Sequence, residues 1–405
     1  MKENYLIPII PFHEPVLVRG EGSYVYDEEG KKLLDLNSGQ FCTVLGHSNK
    51  DLIKEITRIS ETLVHTSSGM ISEEVVEVSK KIHEISGNME AYSILLSTGA
   101  ESVEFALRYA KHLKGRSGIV CFQKGYHGLT LGTQSVTFGG VYANPEVSHI
   151  FSVPIPDTFA EKEEVDNCLA VLEKTLEEYG KEIAGVLMEP IVSVGGMIFP
   201  VKEYFTEVRK LCDEYDVLLI LDECQTGFGR TGSWFYYEQL GIIPDMVACA
   251  KGIGLGYPVS LVMFRNGLVP KEGMTMTHYS SHQNDGFAAA IVNFGIQYIK
   301  EHNLLERATE MGNYFLGKLK ELEKTCPVYT KARGHGLMLG LDLKLEGVEN
   351  YRPVYQELTE KSTKEGVLLQ GTNGGQILRF LPDYLIQKED IDFCVEVLKK
   401  VAPGV

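Results

Sequence analysis

A series of short apolar runs separated by amphipathic stretches is the feature that most constrains how this chain can fold. The runs lie at Tyr92–Leu96, Gly118–Phe122, Ile183–Met188, 217–221, 245–250 and 259–264. Continuous apolar runs of this length indicate strands buried on both faces, as in a largely parallel sheet covered by helices. Between two of the runs, residues 100–113 carry apolar side chains on one face of a helix. The sequence therefore predicts an α/β fold with a mostly parallel central sheet flanked by helices.

The two ends of the chain indicate a second, smaller α+β domain. Short strands are expected at 24–26, 32–36, 336–343 and 377–380. A long helix that starts near Phe287 is expected to lead from the central sheet into the C-terminal part. We expect an N-terminal segment that contributes to the small domain, a large domain and a C-terminal small domain, at 1–45, 46–295 and 296–405 respectively.

Composition excludes some classes of partner. The chain has 405 residues and a formal net charge of -16, which argues against binding to nucleic acid or to an anionic membrane. Its 8 cysteines show no metal-type spacing, and several lie inside apolar runs, so we expect free thiols in a reducing compartment. No apolar run approaches the roughly 20 residues needed to span a bilayer. We expect a cytoplasmic protein.

Polar residues follow five consecutive predicted strands at the points where these strands end. The segments are Ser97-Thr98-Gly99-Ala100, Gly125-Tyr126-His127-Gly128, Glu189-Pro190, Asp222-Glu223-Cys224-Gln225 and Lys251-Gly252. Open α/β sheets bind ligands beyond the carboxyl ends of their strands. Each segment alone has an ordinary explanation, such as a helix N-cap, simple packing or a turn. Together they provide an anion-binding turn, an aromatic face, carboxylates and an amine, which suit a phosphorylated aromatic aldehyde.

Asp222 and Lys251 carry most of this hypothesis. A carboxylate at the end of a buried strand is costly unless it is paired, and a protonated pyridine nitrogen is a suitable partner. The alternatives for Asp222 are a helix N-cap or a metal ligand, and no histidine spacing supports a metal. Lysine is seldom buried, and a desolvated lysine is the usual residue that forms a Schiff base.

The glycines at 252, 254 and 256 offer a rival interpretation as a dinucleotide-binding loop. That fingerprint requires a glycine at 257 and a helix after it, whereas this chain has Tyr257 and Pro258 followed by an apolar run. We therefore reject a dinucleotide site.

These residues match a known family over nearly the whole chain. The most specific stretch is LILDECQTGFGRTG at 219–232, with Lys251 downstream. The chain resembles the class III aminotransferases, which are pyridoxal-phosphate (PLP) enzymes of fold type I. The resemblance implies the PLP-transferase fold, with the large domain binding the cofactor.

The resemblance also implies roles for individual residues. Lys251 resembles the lysine that holds PLP as a Schiff base and shuttles protons, and Asp222 resembles the partner of the pyridine nitrogen. Gln225 resembles the residue near the ring hydroxyl, and Glu189 resembles its supporting carboxylate, so the expected catalytic residues are Lys251, Asp222 and Glu189. The expected cofactor-binding residues are Ser97, Gly99, Ala100, Tyr126, His127, Asp222, Cys224, Gln225, Lys251, Ser280 and Ser281. Among these, Gly99 and Ala100 correspond to the phosphate-binding amides, and Tyr126 corresponds to the aromatic residue that stacks on the ring.

Two further expectations concern the neighbouring subunit and the substrate. Ser280 or Ser281 lies where the family places a residue that reaches the phosphate of the partner subunit, which implies a homodimer with shared active sites. Arg379 matches a family arginine that often receives a substrate carboxylate, and a guanidinium can bind a carboxylate with two parallel hydrogen bonds.

Two departures from the ornithine-type branch bear on specificity. That branch has an arginine where this chain has Leu129, and a gating glutamate where this chain has Val194. Both differences argue against ornithine-type specificity, and the loop Val194-Gly195-Gly196 resembles that of the omega-amino-acid:pyruvate branch. We expect a ping-pong transfer of an amino group from an amino acid or amine to a 2-oxo acid. The alternative is a PLP-dependent isomerase on the same scaffold, either an amino-acid racemase or epimerase, or an aminomutase.

Overall fold

The structure is a computed structural model, and it describes residues 5–7, 9, 15–143, 149–270, 273–274 and 276–403. The strands are β1 Leu17–Glu21, β2 Tyr24–Asp27, β3 Lys32–Asp35, β4 Tyr92–Leu96, β5 Gly118–Phe122, β6 Ile150–Val153, β7 Ile183–Met188, β8 Leu218–Asp222, β9 Met246–Cys249, β10 Ser260–Phe264, β11 Tyr329–His335, β12 Met338–Leu343, β13 Val367–Leu368, β14 Gln370–Thr372 and β15 Ile377–Phe380. The helices are α1 Ser38–Phe41, α2 Lys50–Ser60, α3 Glu73–Ile85, α4 Gly99–Lys114, α5 Leu131–Val136, α6 Lys162–Tyr179, α7 Lys202–Glu214, α8 Tyr236–Leu240, α9 Gly286–Glu301, α10 Leu304–Thr325, α11 Arg352–Lys364 and α12 Lys388–Lys400.

The central sheet contains seven strands in the order β4-β10-β9-β8-β7-β5-β6. Every strand runs in the same direction except β10, which is antiparallel to both of its neighbours. All residues of β8 are buried, with Leu219 and Leu221 in one hydrophobic cluster and Leu218 and Ile220 in another. Since alternate side chains of a strand point to opposite faces, both faces of the sheet are covered.

The predicted α/β architecture is confirmed, and several strands have the predicted bounds. β4, β5, β7 and β15 coincide with the apolar runs that predicted them. Five strands, β1, β6, β11, β13 and β14, were not predicted, and the antiparallel direction of β10 was not predicted either. β6 lies at the edge of the sheet and is only partly buried, so it lacks the continuous apolar run of a central strand.

Two smaller sheets complete the fold. One has the order β1-β2-β3-β13, so the N-terminal strands pair with a strand from the C-terminal part of the chain. The other has the order β11-β12-β15-β14. No helix in the described part of the chain is long and apolar enough to cross a membrane.

The register of the parallel strands brings the candidate residues together. Asp222 ends β8 and pairs with Ala248 of β9, and Lys251 follows β9 directly after Ala250. Met188 of β7 pairs with Leu221 of β8, so Glu189 emerges at the same edge. The carboxyl ends of neighbouring parallel strands therefore deliver two carboxylates and an amine to one location.

The close packing of α10 against Gly336 leads to a prediction about stability, and a second glycine of the same helix provides the control. A methyl group on Gly312 would lie 2.0 Å from the carbonyl oxygen of Gly336, whereas one on Gly317 of the same helix would meet nothing within 4 Å. Gly312→Ala should lower the free energy of unfolding by about 1–3 kcal/mol because the backbone must shift. Gly317→Ala should raise it by up to about 1 kcal/mol through helix propensity. Urea unfolding of both variants measures this, and equal stabilities would contradict the packing.

Candidate active site

A cavity of about 540 Å³ lies at the carboxyl edge of the central sheet. The predicted residues that line it are Ser97, Gly99, Ala100, Tyr126, His127, Glu189, Asp222, Cys224, Gln225 and Lys251. The structure therefore brings together residues that are separated by more than 150 positions in the chain. Ser280, Ser281 and Arg379 lie outside this lining.

The first turn of α4 forms one end of the cavity. Thr98 is its N-cap, and the Thr98 side chain accepts a hydrogen bond from the Glu101 amide at 3.2 Å. The amides of Gly99 and Ala100 belong to the first turn, where backbone N–H groups have no partner within the helix. A Cβ atom on Gly99 would lie 3.0 Å from Cys224 Sγ, so only glycine fits without a shift. The turn offers free N–H groups and the positive end of a helix dipole to an anion.

Asp222 lines the cavity. Its carboxylate is buried, and each of its two oxygens has a hydrogen-bond partner. His127 Nδ1 lies 2.8 Å from Oδ2, and the Cys224 amide donates to Oδ1 at 3.1 Å. Burial pushes the pKa of Asp222 upward, but the hydrogen bonds from His127 and Cys224 and the charge of Lys251 outweigh it and lower the pKa. Asp222 is therefore ionised at neutral pH.

His127 has a more specific position than the sequence indicated. Its side chain is fully buried, and Nε2 has no hydrogen-bond partner among the described residues. With Nδ1 directed at Asp222, the ring holds one oxygen of the carboxylate in position. The sequence placed His127 near a cofactor but gave no sign of this contact with a residue 95 positions away.

Glu189 anchors the turn that carries Tyr126. Its Oε1 accepts a hydrogen bond from the Tyr126 amide at 2.7 Å, and its Oε2 accepts one from the Ser193 amide at 3.3 Å. Burial raises the pKa of Glu189 to about 7, although the charge of His127 and the two amides partly oppose it. Glu189 can therefore exchange a proton near neutral pH.

Lys251 reaches the cavity from a strained backbone. Its φ is +52°, in the left-handed region, where a residue other than glycine costs roughly 1–2 kcal/mol. Its ammonium makes no hydrogen bond or ion pair with any residue that the structure describes. Backbone strain of this kind persists where the packing and hydrogen bonds of the surrounding structure force the conformation. It occurs often at functional sites.

Arg379 is buried and lies outside the cavity lining. Its Nη1 donates a hydrogen bond to Ser193 Oγ at 3.1 Å, and its guanidinium lies 5.1 Å from the ring centre of Phe41. Nε has no partner among the described residues. Burial lowers the pKa of Arg379 to about 10, although the charge of Glu189 partly opposes it, so the group stays protonated at neutral pH. A buried cation with neutral hydrogen-bond partners is suited to binding an anion.

Ser280 and Ser281 belong to a segment that is attached to the central sheet. The Asn284 side chain accepts a hydrogen bond from the Leu95 amide at 3.0 Å, and the Asn284 amide donates to the Leu95 carbonyl at 2.9 Å. Ser280 is half-buried and Ser281 is exposed.

Several residues that line the cavity were not expected there from the sequence, among them Gln40, Cys42 and Tyr257. Gln40 and Phe41 both have positive φ values in a tight turn that Asp35 holds through a hydrogen bond from the Gly39 amide at 2.9 Å. No local pattern shows where this N-terminal turn lies relative to the central sheet, because the contact is long-range.

Comparison with known proteins identifies the family. The model of the aminotransferase class-III family matches residues 11–402. The chain belongs to the class III aminotransferases. It is 36% identical over 389 residues to an acetylornithine aminotransferase of Methanosarcina mazei, covering 95% of this chain and 91% of that protein.

Solved structures agree with this assignment. An (S)-enantioselective omega-transaminase from Thermomicrobium roseum is 28% identical with a TM-score of 0.89, covering 98% of this aminotransferase and 96% of that chain. A PLP-bound amine transaminase from an uncultivated Pseudomonas species shares the fold, with a TM-score of 0.90, 23% identity and coverage of 99% and 98%. The protein is thus a PLP-dependent aminotransferase, and the comparisons favour this activity over the isomerase alternative.

The residues of the cavity fit PLP. The first turn of α4 offers amides to a phosphate, and the Lys251 ammonium has no competing partner among the described residues. Two buried polar atoms, Gln225 Oε1 and His127 Nε2, have no partner within the described chain. Since buried polar atoms are normally hydrogen-bonded, an unpaired set around one cavity indicates a polar ligand.

The raised pKa of Glu189 leads to a prediction about stability and pH in the cofactor-free protein. A carboxyl group whose pKa is higher in the folded than in the unfolded state binds more protons when folded between the two values. The free energy of unfolding should therefore decrease as pH rises from about 4.5 to about 7. Glu189→Gln should make this decrease smaller, as measured by urea unfolding across that range. An unchanged slope would show that Glu189 ionises with its ordinary pKa.

Proposed function

We propose that Lys251, Asp222 and Glu189 form the catalytic group of this aminotransferase. The observation that supports this most is that an ammonium and a buried ionised carboxylate converge on one cavity beside the first turn of α4, and that the ammonium has no partner among the described residues. Lys251 Nζ would hold the cofactor covalently. Asp222 would pair with the ring nitrogen and keep it protonated, since the Asp222 carboxylate is itself ionised.

We propose that the remaining cavity residues hold the cofactor. The amides of Gly99 and Ala100, together with Ser97, would bind the phosphate, and Tyr126 would stack on the ring. His127 holds the Asp222 carboxylate through the 2.8 Å contact and thereby acts as a positioning residue. Burial raises the pKa of Cys224 well above its ordinary value, so its neutral thiol would pack against the ring. Gln225 would bind the ring hydroxyl.

The proton transfers depend on Lys251. When bound, PLP supplies an electron sink that stabilises negative charge on the substrate carbon next to the amino group. Lys251 Nζ would act as the base that takes the proton from that carbon and as the acid that returns it. Hydrolysis of the carbon–nitrogen bond by one water molecule would then release the oxo product and leave the amino group on the enzyme for a 2-oxo acid, which would complete a ping-pong cycle.

The assembly, the domain division and the location remain proposals. We propose a homodimer in which Ser280 or Ser281 reaches the phosphate of the partner subunit. This is supported by the position of both serines outside the lining of their own cavity.

We propose that 1–45 and 296–405 form a small domain around a large domain at 46–295, which the pairing of β3 with β13 supports. A cytoplasmic location stays a prediction from the sequence.

The side chains around the cavity support a substrate with a single carboxylate. Arg379 makes its side-chain hydrogen bond to neutral Ser193, so its charge is available to one carboxylate. Leu129 lines the cavity where the ornithine-type branch has an arginine, and Lys251 is the one lysine or arginine in the lining among the described residues. We therefore propose the omega-amino-acid:pyruvate type, with pyruvate preferred over 2-oxoglutarate. Curated relatives include acetylornithine aminotransferases, whereas solved relatives include an omega-transaminase.

The role of Lys251 is tested by trapping. Borohydride treatment of the purified enzyme followed by peptide mass analysis should find the reduced cofactor on Lys251. Lys251→Ala should lose this adduct and lose about 10²–10⁴-fold in kcat, the usual contribution of a general acid–base group. Lys124→Ala removes an exposed lysine paired with Asp157 at 3.9 Å, and it should keep both the adduct and the activity. An adduct on another lysine would overturn the assignment.

The proposed substrate preference is tested by placing a cation at Leu129. Leu129→Arg should shift the ratio of kcat/KM values toward 2-oxoglutarate over pyruvate by about 10- to 100-fold, because a hydrogen bond to a charged group contributes about 1.5–3 kcal/mol. Leu129→Gln, which is polar but uncharged, is the matched control and should shift the ratio far less. A wild-type enzyme that already prefers 2-oxoglutarate would contradict the proposed branch while leaving the aminotransferase activity intact.

A further inference from the structure

We propose that His65, His282 and Asp285 form a binding site for a divalent transition-metal ion, with Zn²⁺ as the first candidate. The three side chains lie outside the residues that line the active-site cavity. The site is therefore independent of the roles proposed for Lys251 and Asp222.

The ligand atoms of the three residues converge on one point. His65 Nδ1 lies 2.7 Å and His282 Nδ1 lies 2.9 Å from the same oxygen, Oδ2 of Asp285. One ligand atom from each residue lies within 4.8 Å of the others, and the two imidazole rings are 4.6 Å apart. His65 comes from the loop between α2 and α3, whereas Asp285 precedes α9, so the cluster joins distant parts of the chain.

Asp285 is held in position by the helix that it caps. Its Oδ1 accepts hydrogen bonds from the amides of Phe287 at 2.9 Å and Ala288 at 3.1 Å. The carboxylate is buried, and only Oδ2 faces the two histidines. Hydrogen bonds to the second oxygen of a carboxylate are the outer-shell support that orients metal ligands.

The donor set determines the class of ion. Two imidazole nitrogens and one carboxylate oxygen suit Zn²⁺ and its neighbours, whereas Mg²⁺ and Ca²⁺ prefer oxygen ligands. Zinc bonds of about 2.0–2.1 Å in a tetrahedron place ligand atoms about 3.3 Å apart, somewhat farther than the present nitrogen–oxygen contacts. The side chains of His65 and His282 are 40% and 58% exposed, so both rings can move outward by this amount. A water molecule would take the fourth position.

A metal ion here would stabilise segments that contact the active site. Asn284, next to Asp285, is hydrogen-bonded to Leu95 of β4, the strand that leads into the phosphate-binding turn. Phe287 packs against Tyr257, with ring centres 5.2 Å apart, and Tyr257 lines the cavity. By binding His65 and Asp285, the ion would link the loop that carries His65 to the Asn284–Leu95 contact and to the Phe287–Tyr257 contact.

The test is Zn²⁺ binding by the untagged holoenzyme, measured by equilibrium dialysis with elemental analysis. We expect one Zn²⁺ per chain, released by a chelator. Loss of an outer-shell partner alone weakens metal binding about 10- to 100-fold, so His65→Gln and His282→Gln should each weaken it by at least about 100-fold. Asp285→Asn should do the same, although asparagine keeps the N-cap and hence the helix.

Two controls separate this site from adventitious binding. His149→Gln removes a histidine that is 40% exposed and lies 3.4 Å from Glu182, and this variant should bind Zn²⁺ as the wild type does. The His65 and His282 variants retain every cysteine, so binding through a thiol would persist in both. Zn²⁺ binding that survives these substitutions, or a wild-type enzyme that binds no Zn²⁺, would overturn the proposal. In the second case the cluster would be only a hydrogen-bonded helix cap.

Discussion

The buried carboxylate of Asp222 is the constraint on which the rest of the site depends. Transferring an ionised carboxylate from water into a protein interior costs several kcal/mol unless hydrogen bonds and nearby charges compensate. Here His127, the Cys224 amide and the Lys251 charge supply that compensation and keep the pKa low. These groups follow the ends of β5, β8 and β9 respectively, so the parallel arrangement of these three strands is a precondition for the charge state of Asp222.

Much of the active site could be predicted because its residues directly follow strands that the sequence reveals. β7 is buried at all six positions, so its apolar run marks its own end, and Glu189 follows. The same holds for Asp222 and Lys251, whose positions depend only on the strand order and on the rule that ligands bind at the carboxyl edge. The bounds of β5 were predictable for the same physical reason, since all five of its residues are buried and form one short apolar run.

The remaining contacts could not be predicted because they join distant segments with no local signature. Gln40 reaches the cavity through a turn with left-handed residues that only the packed structure defines. The contact between His127 and Asp222 depends on side-chain direction, which strand order does not determine. β10 is buried at every position, as β8 and β9 are, so its reversed direction leaves no trace in hydrophobicity. Arg379 was predicted as a substrate ligand, yet the sequence gave no indication that Ser193 would be its partner.

A common pattern links the charged groups around the cavity. Glu189 is held by two backbone amides, and Arg379 by a serine hydroxyl. Neither makes an ion pair within the described chain, although burial raises the pKa of the first and lowers that of the second. Neutral partners hold such groups in position without neutralising them, so their fields remain available to a charged ligand. The arrangement lowers the stability of the ligand-free protein, and the loss is offset when a ligand of complementary charge binds.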